Sequence, residues 1–280
     1  MKLSGAIDHY LDAQALSMPR AKKAWTGEVT KPPAVAADAW PKRYPAPGCI
    51  AANKRMHTFI DTGLHGYNLA RNDLNADGTS GLSTYLRYGQ VSPIALARAA
   101  RAMDCPPEDR AAFLEQLVIR RELCRNYAWY AGELAVHWEG LPDWSRINLN
   151  EHASDARSYR YSYDDFLAAR THYPYWNAAQ HQLLASGTIH NYMRMYWGKM
   201  ILAWSQDPHT AFDTAMHLND SCALDGRDPN GWAGVAWCFG LHDRPWPSRA
   251  VFGTVRAMGA AGLKRKFDVD TYTKSWNPPL

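Results

Sequence analysis

The sequence lacks the features of a membrane, secreted or metal-binding protein. No stretch approaches the ~18 uninterrupted apolar residues of a membrane-spanning helix. The N-terminus, MKLSGAIDHYLD, carries acids and a histidine where a signal peptide has an apolar run. The five cysteines are odd in number and scattered, with no CxxC pair and no histidine at zinc-ligand spacing. We therefore expect a cytoplasmic protein without membrane segment, disulfides or bound metal.

A strong charge of either sign is also missing. The net charge is only +4, from 31 lysines and arginines against 27 acids, which permits a nucleic-acid partner without indicating one. Aromatic residues, in contrast, are plentiful, with 12 Trp and 15 Tyr in 280 residues. Such rings suit stacking against a heterocycle, although most aromatic side chains in any protein serve packing.

Strand-like alternation of apolar and polar residues is almost absent, so the predicted fold class is all-α. Prolines interrupt the first fifty residues (KPPAVAADAWPKRYPAPG) and forbid a long regular element there. The sequence thus predicts an irregular arm over 1–50 and a helical domain over 51–280. Apolar residues three and four apart then predict one buried helix face. Its members are Ala52, Met56, Phe59, Ile60, Leu64 and Tyr67.

Several helix starts carry a capping side chain followed by proline or acids. The predicted helices cover 92–103, 108–130, 174–185 and 188–205, and two more begin at Ser162 and Asp207.

Two loop segments have compositions that suit ligand binding. The segment 73–90 (DLNADGTSGLSTYLRYGQ) holds small residues whose amides and hydroxyls can surround a phosphate. An ordinary polar turn before a helix is the alternative, and the composition alone favours it. The segment 217–237 (HLNDSCALDGRDPNGWAGVAW) lacks the glutamate that closes an EF-hand. Its amides and carboxylates suit the polar edge of a heterocycle, and a tight structural connection remains the alternative.

Three tryptophans stand in consecutive predicted helices. Trp197 and Trp204 are seven residues apart and hence on one face, and Trp176 lies on the preceding helix. They form either a chain of redox-active rings or part of the core.

Together these segments resemble class II cyclobutane pyrimidine dimer photolyases, of the photolyase/cryptochrome superfamily, over about 48–272. The stretches that carry the resemblance are YNLARND, TSGLSTYLRYGQVS, YWNAAQ, MRMYWGKMILAW, LNDSCALDGRDPNGWAGVAW and GLKRKFDVDTY. The resemblance implies an all-α domain that holds FAD in a bent conformation. In that family, reduced flavin excited by blue light donates an electron to a pyrimidine dimer flipped out of DNA. We expect a monomer acting on UV-damaged DNA, single- or double-stranded.

The resemblance also implies roles for individual residues. Residues matching the FAD-phosphate contacts are Tyr67, Thr79, Ser80, Gly81, Leu82 and Ser83. Arg194 matches a residue against the flavin, Asn219 one facing flavin N5, and Asp225 the carboxylate beside the pyrimidine edge. The electron-transfer triad, from flavin to surface, is matched by Trp197, Trp176 and Trp204. The lesion side is matched by Arg71, Asn72, Gln116, Met195 and Trp237.

Two departures from the family pattern concern the substrate side. Gln116 stands where the family has a glutamate that hydrogen-bonds the dimer, unless the neighbouring Glu115 is the true match. The matching region also begins almost at once, so we expect no antenna domain and no antenna chromophore. The alternative is a photolyase-derived flavoprotein, either a biosynthetic flavoenzyme with a small-molecule substrate or a cryptochrome-like light sensor. This alternative accounts for Gln116 and the near-neutral charge.

Overall fold

The computed structural model describes residues 44–277, which form helices joined by loops. The predicted arm over 1–50 falls largely outside the described residues, so that boundary stays a prediction. Within the described part, the sole β pairing is an isolated bridge between Arg249 and Gly253. The all-α prediction is therefore confirmed. The helices are α1 (Cys49–Thr58), α2 (Tyr67–Ala70), α3 (Ser83–Arg87), α4 (Pro93–Ala102), α5 (Pro107–Leu114), α6 (Arg121–Ala131), α7 (Asp143–Glu151), α8 (Tyr163–Leu167), α9 (Pro174–Ser186), α10 (Asn191–Trp204), α11 (Pro208–Cys222), α12 (Pro229–Cys238), α13 (Ala260–Lys266) and α14 (Val269–Trp276).

Side-chain caps fix several of the helix starts. The Ser92 hydroxyl accepts from the Ala95 N–H, and the Asp207 carboxylate accepts from the Thr210 N–H, each just before a proline. Ser162 forms a reciprocal capping box with Asp165. Such caps stabilise a helix by roughly 1 kcal/mol each. The predicted start at Thr188 is wrong, because His190 caps the helix and α10 begins at Asn191.

The first core is formed by the residues before 120. All six residues of the predicted apolar face are buried in it. They do not share one helix, however, because a π-helical segment (Phe59–Gly63) follows α1 and Gly66 then turns with φ 76° before α2. Phe59, Tyr67 and Phe113 pack with ring centroids 4.7 to 5.6 Å apart. Periodicity thus identified the buried residues and missed the break.

The predicted helix over 108–130 is helical without interruption, but its middle is a π-helical segment. Helix α5 leads into a π-helical segment (Glu115–Arg120), which leads into α6. A π segment adds a residue to the turn and redirects the side chains beyond it, and such segments occur often at functional sites. Gln116 lies in this segment.

The second core gathers the helices from α7 to α14, with α10 at its centre. Met193, Tyr196, Ile201 and Leu202 of α10 are fully buried. Polar contacts join this half to the first at several points. Arg87 Nε donates to the Gly226 carbonyl at 3.1 Å, Asn75 Nδ2 donates to the Asp268 carbonyl at 2.9 Å, and His190 Nε2 lies 3.1 Å from the Arg71 carbonyl. The loop segment 73–90 and the segment 217–237 are thereby brought together.

Helices of the described part are too short or too polar to cross a membrane. All five cysteines, which fall inside that part, are free thiols. Burial raises the pKa of the Cys238 thiol to about 11, because the thiolate would lose its hydration. Across residues 44–277, no three histidine, cysteine or acidic side chains gather as metal ligands.

Candidate cofactor and substrate site

The three predicted tryptophans lie in direct succession. Trp176 on α9 is fully buried and stands between the other two. Its ring lies parallel to that of Trp197, with centroids 6.4 Å apart and planes at 6°. Trp204, also 6.4 Å from Trp176, meets it edge-on at 66°. We call these three residues the tryptophan triad. The spacing of seven residues on α10 thus places Trp197 and Trp204 on either side of one ring from α9.

Hydrogen bonds fix the first two rings. The Trp197 indole N–H donates to Gln180 Oε1 at 2.8 Å, and the Trp176 indole N–H donates to the Trp197 carbonyl at 3.0 Å. Gln180 is itself fully buried on α9. An indole N–H buried without an acceptor costs about 1–3 kcal/mol, so these bonds select one ring orientation.

Beyond Trp204 the aromatic packing continues to the surface. His172 lies 4.9 Å from the Trp204 ring, and Tyr161 and Tyr173 lie 6.0 and 6.4 Å from it. Of these, His172 is exposed. The triad therefore runs from the interior of α10 to an aromatic group in contact with solvent.

A polar cluster lies one turn before Trp197 on the same helix. Arg194 Nη1 donates to Asn219 Oδ1 at 2.9 Å, and Arg194 Nη2 lies 3.6 Å from Asp225 Oδ1. The structure thus brings the three predicted flavin-facing residues together. We call Arg194, Asn219 and Asp225 the polar cluster. Asp225 Oδ1 is buried and has no hydrogen-bond partner, so it is an acceptor available to a donor entering from outside the chain.

Asp220 fixes the orientation of Asn219. Asn219 Nδ2 donates to Asp220 Oδ1 at 2.9 Å, and the second Asp220 oxygen accepts from the Trp232 indole N–H at 3.1 Å. A primary amide has two N–H donors, so one stays available for a ligand. The close packing also explains Gly231, where a Cβ atom would lie 2.7 Å from Asn219 Nδ2. The glycine in DPNG is there because the helix must approach this amide.

The small-residue loop is fixed by Arg55, which the sequence reasoning missed. Arg55 Nε donates to the Ser80 carbonyl at 2.7 Å and Arg55 Nη2 to the Thr79 carbonyl at 3.1 Å. Thr79 and Ser83 are exposed, and their hydroxyls are accessible. Leu82 instead buries its side chain in the first core.

Tyr67 is more enclosed than a typical ligand contact. Its ring is 6% exposed, and burial raises the pKa of its hydroxyl, so the group stays a neutral phenol. The Arg71 guanidinium lies 5.8 Å from the centre of the Tyr67 ring.

The residues predicted for the lesion side fall into two groups. Arg71 and Asn72 lie at the end of α2, where Asn72 Nδ2 donates to the Asn68 carbonyl. Met195 on α10 packs against the end of α12, since the Cys238 thiol, next to Trp237 in the chain, lies 3.8 Å from the Met195 carbonyl.

Gln116 is half-buried, and its neighbour Glu115 is already engaged. Glu115 Oε1 lies 3.1 Å from Arg120 Nε, and the Arg120 guanidinium lies 5.7 Å from the centre of the Trp237 ring. The carboxylate nearest Trp237 along this segment therefore belongs to an ion pair.

A second set of arginines surrounds a buried carboxylate. Asp228 caps α12 and is 5% exposed, with Arg87 Nε and Arg125 Nη2 at 4.0 and 3.9 Å from its Oδ2. We call these three residues the arginine–aspartate cluster. The Asp-Pro pair before α12 is a capping signal in the sequence, whereas nothing local indicates that Arg87 and Arg125 converge on it.

Comparisons with known proteins identify relatives of this chain. No protein-family model matches the chain. The deoxyribodipyrimidine photo-lyase of Methanothermobacter thermautotrophicus is 48% identical over 226 residues, which are 80% of this chain and 49% of that protein. The enzyme of the same name from Arabidopsis thaliana is 40% identical over 220 residues, or 76% of this chain and 44% of that protein. The chain therefore spans about half the length of the curated relatives it matches.

Solved structures give the same result for the fold. A class III photolyase from Agrobacterium tumefaciens superposes with a TM-score of 0.64 at 25% identity, over 83% of this chain and 45% of that one. A cryptochrome from Synechocystis superposes with a TM-score of 0.54 at 16% identity, which shows the fold alone. The comparisons reach several branches and do not single out class II. The chain thus carries a helical domain of the photolyase/cryptochrome superfamily, matching about half of those proteins.

Proposed function

We propose that the protein binds FAD and uses blue light to repair cyclobutane pyrimidine dimers in DNA, in the manner of class II photolyases. The observation that carries the proposal is the polar cluster one turn from Trp197, with the tryptophan triad leading away from it. An electron carrier bound at the cluster would have a direct aromatic path to the surface. The relatives named as photo-lyases support the same reading.

The residues present fit a flavin. Asp225 Oδ1 is a buried acceptor without a hydrogen-bond partner and suits the N–H on the pyrimidine edge of an isoalloxazine. The free N–H of Asn219 suits an acceptor nitrogen of the ring. Thr79 to Ser83 supply hydroxyls and amides for the phosphates, and Arg55 supports them from behind. Arg87, which follows this loop, donates to the Gly226 carbonyl and so links the loop to the segment that carries Asp225.

Bound FAD, when reduced and excited by blue light, supplies the electron that splits the cyclobutane ring and takes it back afterwards. The chain's own contribution is positioning. Arg194 holds Asn219 in place and, through its charge, stabilises negative charge on a neighbouring ring. Trp204, Trp176 and Trp197 would carry electrons, in that order, from an external reductant at the surface to an oxidised flavin held at the polar cluster. Their burial keeps the site dry.

On the substrate side, Trp237 offers an aromatic face to the dimer, and Met195 packs against Cys238, the residue that follows Trp237 in the chain. Gln116 donates an amide N–H to a dimer carbonyl, which a carboxylate cannot do without first taking up a proton. Arg71 and Arg120 contribute positive charge for the backbone phosphates. Binding should therefore weaken as salt rises, because phosphate contacts release counterions.

A second candidate function is a photolyase-derived flavoprotein that acts on a small molecule or senses light. Gln116 favours it, because no acidic proton is available there and Glu115 is committed to Arg120. This candidate keeps FAD and the triad and loses light-driven repair.

A repair assay separates the two. The purified, photoreduced protein is incubated with single- and double-stranded oligonucleotides that carry one thymine dimer, under blue light and in darkness. Restored thymines are counted by chromatography. Light-dependent restoration supports the photolyase, and the variant Gln116→Glu then shows whether the amide limits its rate. A protein that holds reducible FAD and restores no thymine supports the second candidate.

A further inference from the structure

A cavity of about 590 Å³ lies beside the proposed lesion site. None of the residues that line it has been given a role so far. It opens between the last turns of α6 and the start of α7. Its walls include Asn126, Tyr127 and Tyr130 from α6, Asp143 from α7, and Leu241 and His242 from the turn after α12.

This cavity is connected to Trp237 through one ring. The His242 ring lies 5.8 Å from Trp237 and 6.0 Å from Tyr127, edge-on to both. Two successive ring contacts therefore connect Trp237, which is proposed to face the dimer, with Tyr127 in the cavity wall. At about 3.4 Å between stacked nucleotides, that separation covers a few nucleotides of one strand.

The backbone around His242 is built to place this ring. His242 has a backbone φ of 57°, in the left-handed region that residues other than glycine adopt infrequently. Gly240 precedes it with φ 111°, and a Cβ there would lie 2.6 Å from Ser145 Cβ. The turn is thus pressed against α7 and projects Leu241 and His242 into the cavity wall. Strained positions of this kind persist where the surroundings enforce them, often at binding sites.

The side chains at the cavity combine stacking surface with hydrogen-bonding groups. Tyr130 is 84% exposed and its neighbour Trp129 is 81% exposed, although both are large aromatic residues at the end of a helix. Asn126 and Asp143 supply an amide and a carboxylate at the rim. Burial, with the charge of Arg120, lowers the pKa of His242, so its ring is neutral at neutral pH and offers both a donor and an acceptor.

We propose that this cavity binds one unpaired nucleobase of the DNA strand that flanks the dimer, stacked on Tyr130. The proposal rests on the DNA substrate proposed above and names a second contact on it. Aromatic platforms of this type bind single-stranded nucleic acid without strong sequence preference, because every base has a π face. The protein would accordingly favour dimers in single-stranded or opened DNA, where a flanking base is free to leave the stack.

The test is a double-mutant cycle between the cavity and the DNA. Affinity is measured by fluorescence anisotropy for an oligonucleotide of about eleven nucleotides with a central thymine dimer, and for variants in which one flanking base at a time is abasic. We expect Tyr130→Ala to weaken binding of the intact oligonucleotide by about tenfold, the range of one stacked base. One abasic position should weaken the wild type equally and add nothing in Tyr130→Ala.

Controls separate this inference from the proposed function. Tyr88→Ala removes another exposed tyrosine, at the C-terminal end of α3, and should leave the affinity unchanged. The isolated thymine-dimer dinucleotide cannot reach the cavity, so its light-driven repair should be equal in wild type and Tyr130→Ala. Equal repair with undiminished oligonucleotide affinity, or strictly additive losses in the cycle, overturns the cavity proposal alone. Absence of repair in both proteins overturns the proposed function instead.

Discussion

The tryptophan triad and the polar cluster are neighbours on α10 and are built by opposite means. The triad uses the period of one helix and packing against a second, so its parts are close in the chain and need few supporting contacts. The polar cluster uses Arg194 from α10, Asn219 from α11 and Asp225 from a loop, each oriented by further polar groups. Apolar packing in the triad accommodates changes in the neighbouring residues. The geometry of the polar cluster, in contrast, depends on each of its hydrogen-bond and ion-pair partners. The variants below measure that difference.

The largest effect should come from the triad itself. Trp197→Phe should slow photoreduction of bound FAD by external donors by about 1,000-fold, equivalent to about 4 kcal/mol in the barrier. Phenylalanine preserves the packing but is far harder to oxidise than tryptophan. The measurement is flavin absorbance under blue light with a thiol donor. Trp138→Phe, a buried tryptophan outside the triad, should leave the rate unchanged. Equal rates in wild type and Trp197→Phe would remove the triad from the proposed function.

A buried lysine next to the triad tests whether α10 is as apolar as its tryptophans suggest. Lys199 is 2% exposed, and its ammonium donates to the Cys238 carbonyl at the end of α12. Burial lowers its pKa from 10.5 to about 8. The unfolded chain therefore binds this proton more tightly, and the stability should rise as pH goes from about 8 to 10.5. Below pH 8 the full penalty remains.

Lys199→Met should abolish that rise, which is on the order of 3 kcal/mol from the pKa difference. The measurement is the free energy of unfolding in urea at several pH values between 7 and 10.5, for wild type and variant. The difference between the two proteins removes the contribution of other alkaline groups. A difference that stays constant across this range would show that Lys199 titrates normally.

The sequence predicted the features that depend on residues close together in the chain. It did not predict those that depend on contacts between distant residues. The helix caps at Ser92 and Asp207, the buried set around Phe59 and the shared helix face of Trp197 and Trp204 all depend on short-range patterns, and all were predicted. The break at Gly66 and the π segment at Glu115–Arg120 were not, because they arise from packing against other helices. The support given by Gln180 and Arg55, and the bond from Trp232 to Asp220, depend on contacts between residues 12 to 25 positions apart, for which one sequence carries no signal.

The third effect concerns the arginine–aspartate cluster, where polar dependence should be strongest. Asp228→Ala leaves Arg87 and Arg125 without their carboxylate and removes the cap of α12. Because both arginines are partly exposed, solvent screens part of the loss. We expect a destabilisation of about 2–3 kcal/mol, combining the cap with part of a buried-pair loss.

Asp77→Ala is the matched control, since Asp77 pairs with Arg55 at 3.2 Å on the exposed surface. Exposed ion pairs contribute about 0–1 kcal/mol. Both variants are compared by urea unfolding at neutral pH. Equal losses in the two would show that burial does not distinguish these aspartates.

The smallest effect should come from the one polar group that the triad requires. Gln180→Leu keeps the volume of the side chain and removes the acceptor of the Trp197 indole N–H. A buried donor left unpaired costs about 1–3 kcal/mol, and loss of the weaker bond to the Leu167 carbonyl adds little. We therefore expect a destabilisation near the lower end of that range, measured by urea unfolding, together with a blue shift of Trp197 emission. Gln90→Leu, at a half-buried site where water can replace the bond to the Gly48 N–H, should cost less. If the two substitutions destabilise the protein equally, packing alone holds the triad in place. The triad would then differ fully from the polar cluster, which is held by polar contacts.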